Sequence, residues 1–314
     1  MIRVTEAAAL AAARWMGKGD SSAADRAAIG AMRTALNAIP FDGTVFIGEG
    51  DREHGADLFT GETVGGEAPS DSPVFDLALD ALECTRSVAF GRPNAMAVVG
   101  LAPRGSFFNP PTMYMEKLAV GPQAAHAVGL NLSIEENLHR VAEAKGYAIH
   151  DLTVVILDRE RHGELIEDVR KTGARIHLIP DGDIAASIAA ALPGSGIDLV
   201  VGIGGSTAGV LTAAGLRCVG GQLLARLAPT DQHELTQARM VGPVDLKKIY
   251  TAEDLVSGTN VMFAATGVTD GDMLNGVRYR ADGATTHSLV MRSASRTRRF
   301  IVTEHYFEDN PDYS

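Results

Sequence analysis

The 314-residue chain carries a formal charge of −11, with 46% hydrophobic and 21% charged residues. That balance fits a globular protein of one or two domains with a large core. The acidic excess argues against a nucleic-acid partner, and no stretch is long and apolar enough to span a bilayer, so no membrane partner is expected. Two cysteines, Cys84 and Cys218, are too few for a disulfide framework or a zinc cage, which fits a reducing compartment and makes the cytoplasm the expected location.

The opening MIRVTEAAALAAARWMGKG has an Arg and a short Ala-rich run, but Glu6 interrupts it, and it reads as an amphipathic first helix rather than a secretion signal. Ser22-Ala-Ala-Asp25 has capping-box form, and Ile29, Met32 and Leu36 then recur at helical spacing until Pro40 closes the segment. Residues 44–47, TVFI, form a strand running into Gly48-Glu49-Gly50-Asp51. From 50 to 73 the chain is rich in Gly, acid and Ser, and reads as a functional loop or lid. Residues 74–80 alternate as a half-buried strand, with Phe75, Leu77 and Leu79 on one face and Asp76 and Asp80 on the other.

The second half follows a clearer rhythm of strand 152–157, helix 164–171, strand 175–179, helix 184–192 and strand 197–201, then a Gly-rich turn and another helix. This βαβαβ order predicts a parallel sheet whose strand ends carry Asp158-Arg159-Glu160-Arg161, Asp181-Gly182-Asp183 and Gly202–Gly205, where ligands collect in such sheets. A domain boundary is expected near 147–152, dividing the chain into 1–150 and 151–314.

Asp25, Glu49, Asp80 and Glu83, from three separated segments, are the oxygen donors that Mg²⁺ or Mn²⁺ prefers. Thr85 beside them is a hydroxyl able to position an attacking water, and Arg159 and Arg161 are able to grip a phosphate. Each also has a plainer reading. Capping alone explains Asp25, a solvated turn explains Asp80 and Glu83, and surface charge explains the two arginines. Cys84 does not fit the cysteine-phosphatase loop, which needs an Arg six residues on where Phe90 stands. Gly202–Gly205 fails the dinucleotide fingerprint because Thr207 replaces its third glycine. His54, His162 and His287 lack metal-ligand spacing, and Arg296, Arg298 and Arg299 alternate as a solvated edge strand does.

The ordered set GKGDSSAAD, DGTVFIGEGD, LDALECTR, NPPTMYMEKLAVGP, LDRERH, IPDGDIAAS, GIGGSTAGV, NVMFAATGVTDGD and SASRTRR resembles class II fructose-1,6-bisphosphatases, bacterial members of the lithium-sensitive, metal-dependent sugar and inositol phosphatases. The resemblance implies a layered α/β sandwich of two closely packed subdomains. It implies a Mg²⁺- or Mn²⁺-dependent phosphoric monoester hydrolase that removes the 1-phosphate of fructose 1,6-bisphosphate, a gluconeogenic step, with sedoheptulose 1,7-bisphosphate as a second substrate of some relatives. It further implies a homo-oligomer, dimer or tetramer. Carried over by position, Asp25, Glu49, Asp80 and Glu83 match the metal carboxylates, and Asp80, Glu83 and Thr85 the catalytic set. Glu83, Cys84, Thr85, Tyr114, Arg159, Arg161, Asp181, Gly182, Asp183 and Gly205 match the substrate positions.

Three departures stand out. Ser21 replaces a lysine of the family, Cys84 a turn glycine, and Ala208 a metal-binding glutamate. Losing an anionic ligand and a nearby positive charge leaves a second reading open, that of an altered or inactive homologue that still binds a sugar phosphate.

Overall fold

In the computed structural model, residues 1–50, 57–241 and 244–307 are described. They form two compact units, Met1–Phe107 with Gly258–Ser314, and Phe108–Ser257. The chain begins with helices α1 (Ile2–Ala13) and α2 (Ser21–Asn37) and strands β1 (Asp42–Ile47), β2 (Thr63–Val64) and β3 (Val74–Glu83). Short helix α3 (Thr85–Ala89) and strand β4 (Met96–Pro103) follow. The second unit then supplies β5 (Tyr114–Val120), α4 (Ile134–Lys145), β6 (Thr153–Leu157), α5 (Gly163–Thr172), β7 (Arg175–Ile179) and α6 (Asp183–Ala189). It continues through β8 (Leu199–Gly205), α7 (Ser206–Val219), β9 (Gln222–Leu227), α8 (Gln232–Val241), β10 (Tyr250–Thr251) and α9 (Ala252–Leu255). The chain returns to the first unit with β11 (Met262–Gly267), β12 (Arg278–Arg280), β13 (Gly283–Arg292) and β14 (Thr297–Tyr306).

The first unit's mixed sheet runs β12-β13-β11-β4-β3-β1-β2, with β14 paired to β13. Only β1 and β3 are parallel neighbours; the other pairs are antiparallel. Strand β11 lies between β4 and β13, so residues beyond 257 complete this sheet. The division expected at 150 therefore falls inside the second unit, in a 3-10 turn at Ile149–Asp151.

Helix α2 buries Ala24, Ala28, Met32 and Leu36, a four-residue repeat that lays one stripe on the core. Its N-cap is Asp20, whose carboxylate accepts from Ala23 N–H at 2.9 Å, so the expected Ser22–Asp25 capping box does not form. Helix α1 is less amphipathic than its sequence implied. Val4, Thr5, Ala8, Ala9 and Ala12 are all buried, and even Glu6 is enclosed, accepting from Thr303 Oγ1 at 2.6 Å. A hydroxyl chain ties α1 to the sheet, Thr5 to Thr266 at 2.7 Å and Thr266 to Ser288 at 2.8 Å.

Strand β3 departs from the alternation expected of it. Asp76 through Leu79 are all buried, as are Ala81 through Glu83, because the strand is central and covered on both faces. Of the expected loop, residues 51–56 lie outside the described set. From 57 onward the segment is anchored rather than lid-like: Leu58 is fully buried, Glu49 N–H donates to Leu58 O at 3.0 Å, and Glu62 pairs with Arg33 at 2.7 Å.

The second unit's sheet runs β10-β9-β5-β8-β6-β7. The expected parallel core is present as β7, β6 and β8, but β5, β9 and β10 extend it antiparallel. Among the described residues no helix is long and apolar enough to cross a membrane. Thr266→Val, nearly isosteric, removes both buried hydroxyl contacts and is expected to cost about 1–3 kcal/mol, read as a lower urea midpoint.

Candidate active site

In the first unit the acidic residues arrive from three elements. Asp25 stands one turn into α2 and shares a face with Ser21 four residues earlier. Glu49 follows β1, and Asp80 and Glu83 lie on β3 either side of a register shift against β4. Such an irregularity kinks a strand and re-aims its side chains. Glu49 Oε1 accepts from Ala81 N–H at 2.5 Å, and Asp80 Oδ1 from Leu82 N–H at 3.1 Å.

Glu49 is the electrostatic centre of this group. Burial, reinforced by the Asp80 carboxylate and more weakly by Asp25, pushes its carboxyl up to about 8 in spite of the Ala81 hydrogen bond. Burial likewise raises the Asp25 carboxyl above the usual range, partly offset by Arg26. Carboxylates enclosed so that they resist ionising together create the negative potential that a bound cation relieves. Among the described residues no three acid, histidine or cysteine side chains close into a ligand shell. The all-oxygen donor set nevertheless fits a hard divalent cation, and the capping explanation for Asp25 is gone.

Beyond Glu83 the chain turns sharply. Cys84 adopts φ 66°, ψ 46° as the residue before α3, the left-handed conformation that glycine accepts without strain. Thr85 opens α3, and its hydroxyl donates to Leu82 O at 3.2 Å.

The second unit gathers the expected sugar-binding residues. Tyr114 and Gly205 are directly opposed across β5 and β8, and the Arg161 guanidinium stacks 5.4 Å from the Tyr114 ring centre. Arg161 donates to Ile203 O at 2.8 Å, while Ile203 N–H donates to His162 Nε2, also at 2.8 Å. Neighbouring side chains thus clamp both sides of residue 203. Arg159 is half-buried and donates to Asp158 O, whereas Asp181 is exposed and accepts from Gly182 N–H.

Asp183 is buried and paired with Lys117, which also donates to Gly205 O at 3.1 Å. Sequence reading passed over Lys117. Its signal was a charge at an inward position of MYMEKLAV, between the buried Met115 and Ala119. The same pair explains Gly204 in Gly202–Gly205, a stretch that is strand rather than the expected turn. A Cβ at Gly204 would overlap Asp183 and Lys117, and one at Gly202 would lie 3.0 Å from the His162 ring. Ala208 lies in the first turn of α7. Ser206 is buried and its hydroxyl donates to Thr112 O, so it is not free to take the role the resemblance gives to a glutamate at 208; Thr207 is exposed.

The bacterial fructose-1,6-bisphosphatase (glpX-encoded) family model matches residues 1–305. The chain is 43% identical to D-fructose 1,6-bisphosphatase class 2/sedoheptulose 1,7-bisphosphatase of Synechococcus sp. (strain JA-3-3Ab), covering 97% of this chain and 94% of that protein. It is 41% identical to fructose-1,6-bisphosphatase 1 class 2 of Escherichia coli (strain K12), covering 98% and 94%. The fold and these relatives define an α/β phosphoric monoester hydrolase. Within that class, the chain belongs to the bacterial class 2 fructose-1,6-bisphosphatase family.

Two measurements probe this geometry. At position 84, Cys84→Gly is expected to be more stable than Cys84→Ala by about 1 kcal/mol in urea denaturation, because only glycine relieves the left-handed backbone. His162 is held below the usual histidine range by burial, aided by Arg161 and Arg159, although its bond to Leu157 O opposes this. The unfolded chain therefore binds the proton more readily, and stability is lost as the pH falls below 6.5. His162→Gln is expected to show a shallower loss when urea midpoints are compared on either side of that value.

Proposed function

We propose that this chain hydrolyses the 1-phosphate of fructose 1,6-bisphosphate or a closely related ketose bisphosphate, using Mg²⁺ or Mn²⁺. The observation that carries the proposal is the acid group itself: Glu49 and Asp80 accept from the neighbouring Ala81 and Leu82 N–H groups of β3, and burial, then Asp80 and Asp25, raise the Glu49 carboxyl. Asp25, Glu49, Asp80 and Glu83 would hold the cations. When bound, a hard divalent cation supplies Lewis-acid charge to the phosphoryl oxygens.

The chain's own residues supply the rest. The Thr85 hydroxyl orients the attacking water, whose oxygen bonds to phosphorus as the bond to the sugar oxygen breaks. Arg159 and Arg161 hold the second phosphate, and Tyr114 the sugar, with Arg161 kept in place by Ile203 and the Tyr114 ring. Lys117 neutralises Asp183 and holds it beside Gly205. The names of the relatives at 41% and 43% identity support this substrate class.

Ala208 favours a second reading, a homologue that binds sugar phosphate without turning it over, since a methyl group cannot ligate a cation. Phosphate release from fructose 1,6-bisphosphate and sedoheptulose 1,7-bisphosphate, with Mg²⁺ or Mn²⁺ and with a chelator, separates the two. Chelator-sensitive release is expected, abolished in Asp80→Ala and raised in Ala208→Glu. Substrate binding with no release under any of these conditions would establish the second reading.

A further inference from the structure

Residue 113 precedes the first residue of β5, and both of its backbone polar groups are held from outside that strand. Its C=O accepts from the N–H of Ser206, the first residue of α7, at 2.9 Å, and its N–H donates to Glu234 Oε1 at 2.6 Å. The Ser206 hydroxyl donates to Thr112 O as well. One residue on, Tyr114 O accepts from Ala228 N–H at 3.0 Å and from the Thr112 hydroxyl at 2.8 Å.

Glu234 joins this segment to helix α8. It stands in the first turn of α8, and its second oxygen, Oε2, accepts from both the N–H and the hydroxyl of Thr230, each at 2.7 Å. Its own N–H donates to Asp231 Oδ1 at 2.8 Å. Apolar packing does not account for the junction. Met113 is 70% exposed, and among residues 232–240 only Ala238 is buried. The tie is therefore polar, and an ionised carboxylate holds an amide more firmly than a neutral acceptor does.

We infer that Glu234 is a positioning residue for the sugar end of the substrate. It acts through residue 113: with that backbone clamped between α7 and α8, the Tyr114 ring and the Arg161 guanidinium stacked on it are kept in one arrangement. The backbone at a residue selects the rotamers its side chain adopts, and small misplacements of a binding group are costly. This inference rests on the sugar-binding role proposed above for Tyr114 and Arg161.

Fructose 6-phosphate, which is left when the 1-phosphate is removed, keeps the distal phosphate and probes this end without turnover. Calorimetric titration of the full chain is expected to give a dissociation constant about fivefold higher for Glu234→Gln than for the wild type, because a carboxamide offers one acceptor oxygen where the carboxylate serves donors on both sides. Thr230→Val removes the Thr230 hydroxyl from the same carboxylate, leaves the Met113 bond, and is expected to bind as the wild type does. A role confined to the stability of α8 would move both variants alike. Amide hydrogen exchange at residue 113 is expected to quicken in Glu234→Gln and not in Thr230→Val. Equal affinity of wild type and Glu234→Gln, equal weakening in Thr230→Val, or unchanged exchange at residue 113 would overturn this role. No binding of fructose 6-phosphate by the wild type would remove the sugar-end assignment and this role together. A wild-type chain that binds it yet releases no phosphate from the bisphosphate contradicts hydrolysis alone, and the comparison of the variants still decides the role of Glu234.

Discussion

The enclosure of Glu49 beside Asp80 and Asp25 is the constraint on which the candidate site in the first unit depends. Three carboxylates from α2, the end of β1 and the end of β3 lie close together, and burial, reinforced by Asp80 and more weakly by Asp25, raises Glu49 to about 8. The parallel pairing of β1 with β3 and the packing of α2 over β3 make that proximity unavoidable. Folding brings together charges that would otherwise disperse in water, and a divalent cation is the natural counter-charge.

The second unit solves an opposite problem, that of holding positive side chains in place. Arg161 and His162 grip the two sides of residue 203, and Lys117 with Asp183 fills the space beside Gly204. A buried lysine–carboxylate pair is weak evidence for stability, because desolvation offsets its attraction. Its value here lies in fixing where β8 ends and α7 begins. Gly204 of GIGGS is one consequence, since the strand passes too close to Lys117 and Asp183 there for a Cβ.

Much of this was legible in the sequence. The alternation of strands and helices from 152 to 201 gave the parallel core, and the separated acids gave the oxygen-rich group. The resemblance marked position 84 as a turn glycine replaced by cysteine, and the structure gives that residue a left-handed backbone at φ 66°. Other features were hidden because they depend on contacts distant in sequence. Nothing local says that β11 inserts between β4 and β13, so the domain boundary was misplaced. Gly202–Gly205 resembled a turn because glycine's usual meaning is conformational; Gly202 does hold a positive φ of 140°, but it lies against His162, and Gly204 records close approach by Lys117 and Asp183. Asp25 resembled a cap because Ser22 precedes it by three, but Asp20 reaches Ala23 N–H first.

The central claim is that Asp25, Glu49, Asp80 and Glu83 form a cation site that survives Ala208. A Mn²⁺ titration followed by electron paramagnetic resonance tests it without reference to turnover, by reading the signal of free Mn²⁺ against added metal. Depletion of free Mn²⁺ by the wild-type chain, lost in folded Asp80→Ala, is the predicted result. Equal depletion by both proteins, or none by the wild type, would contradict it.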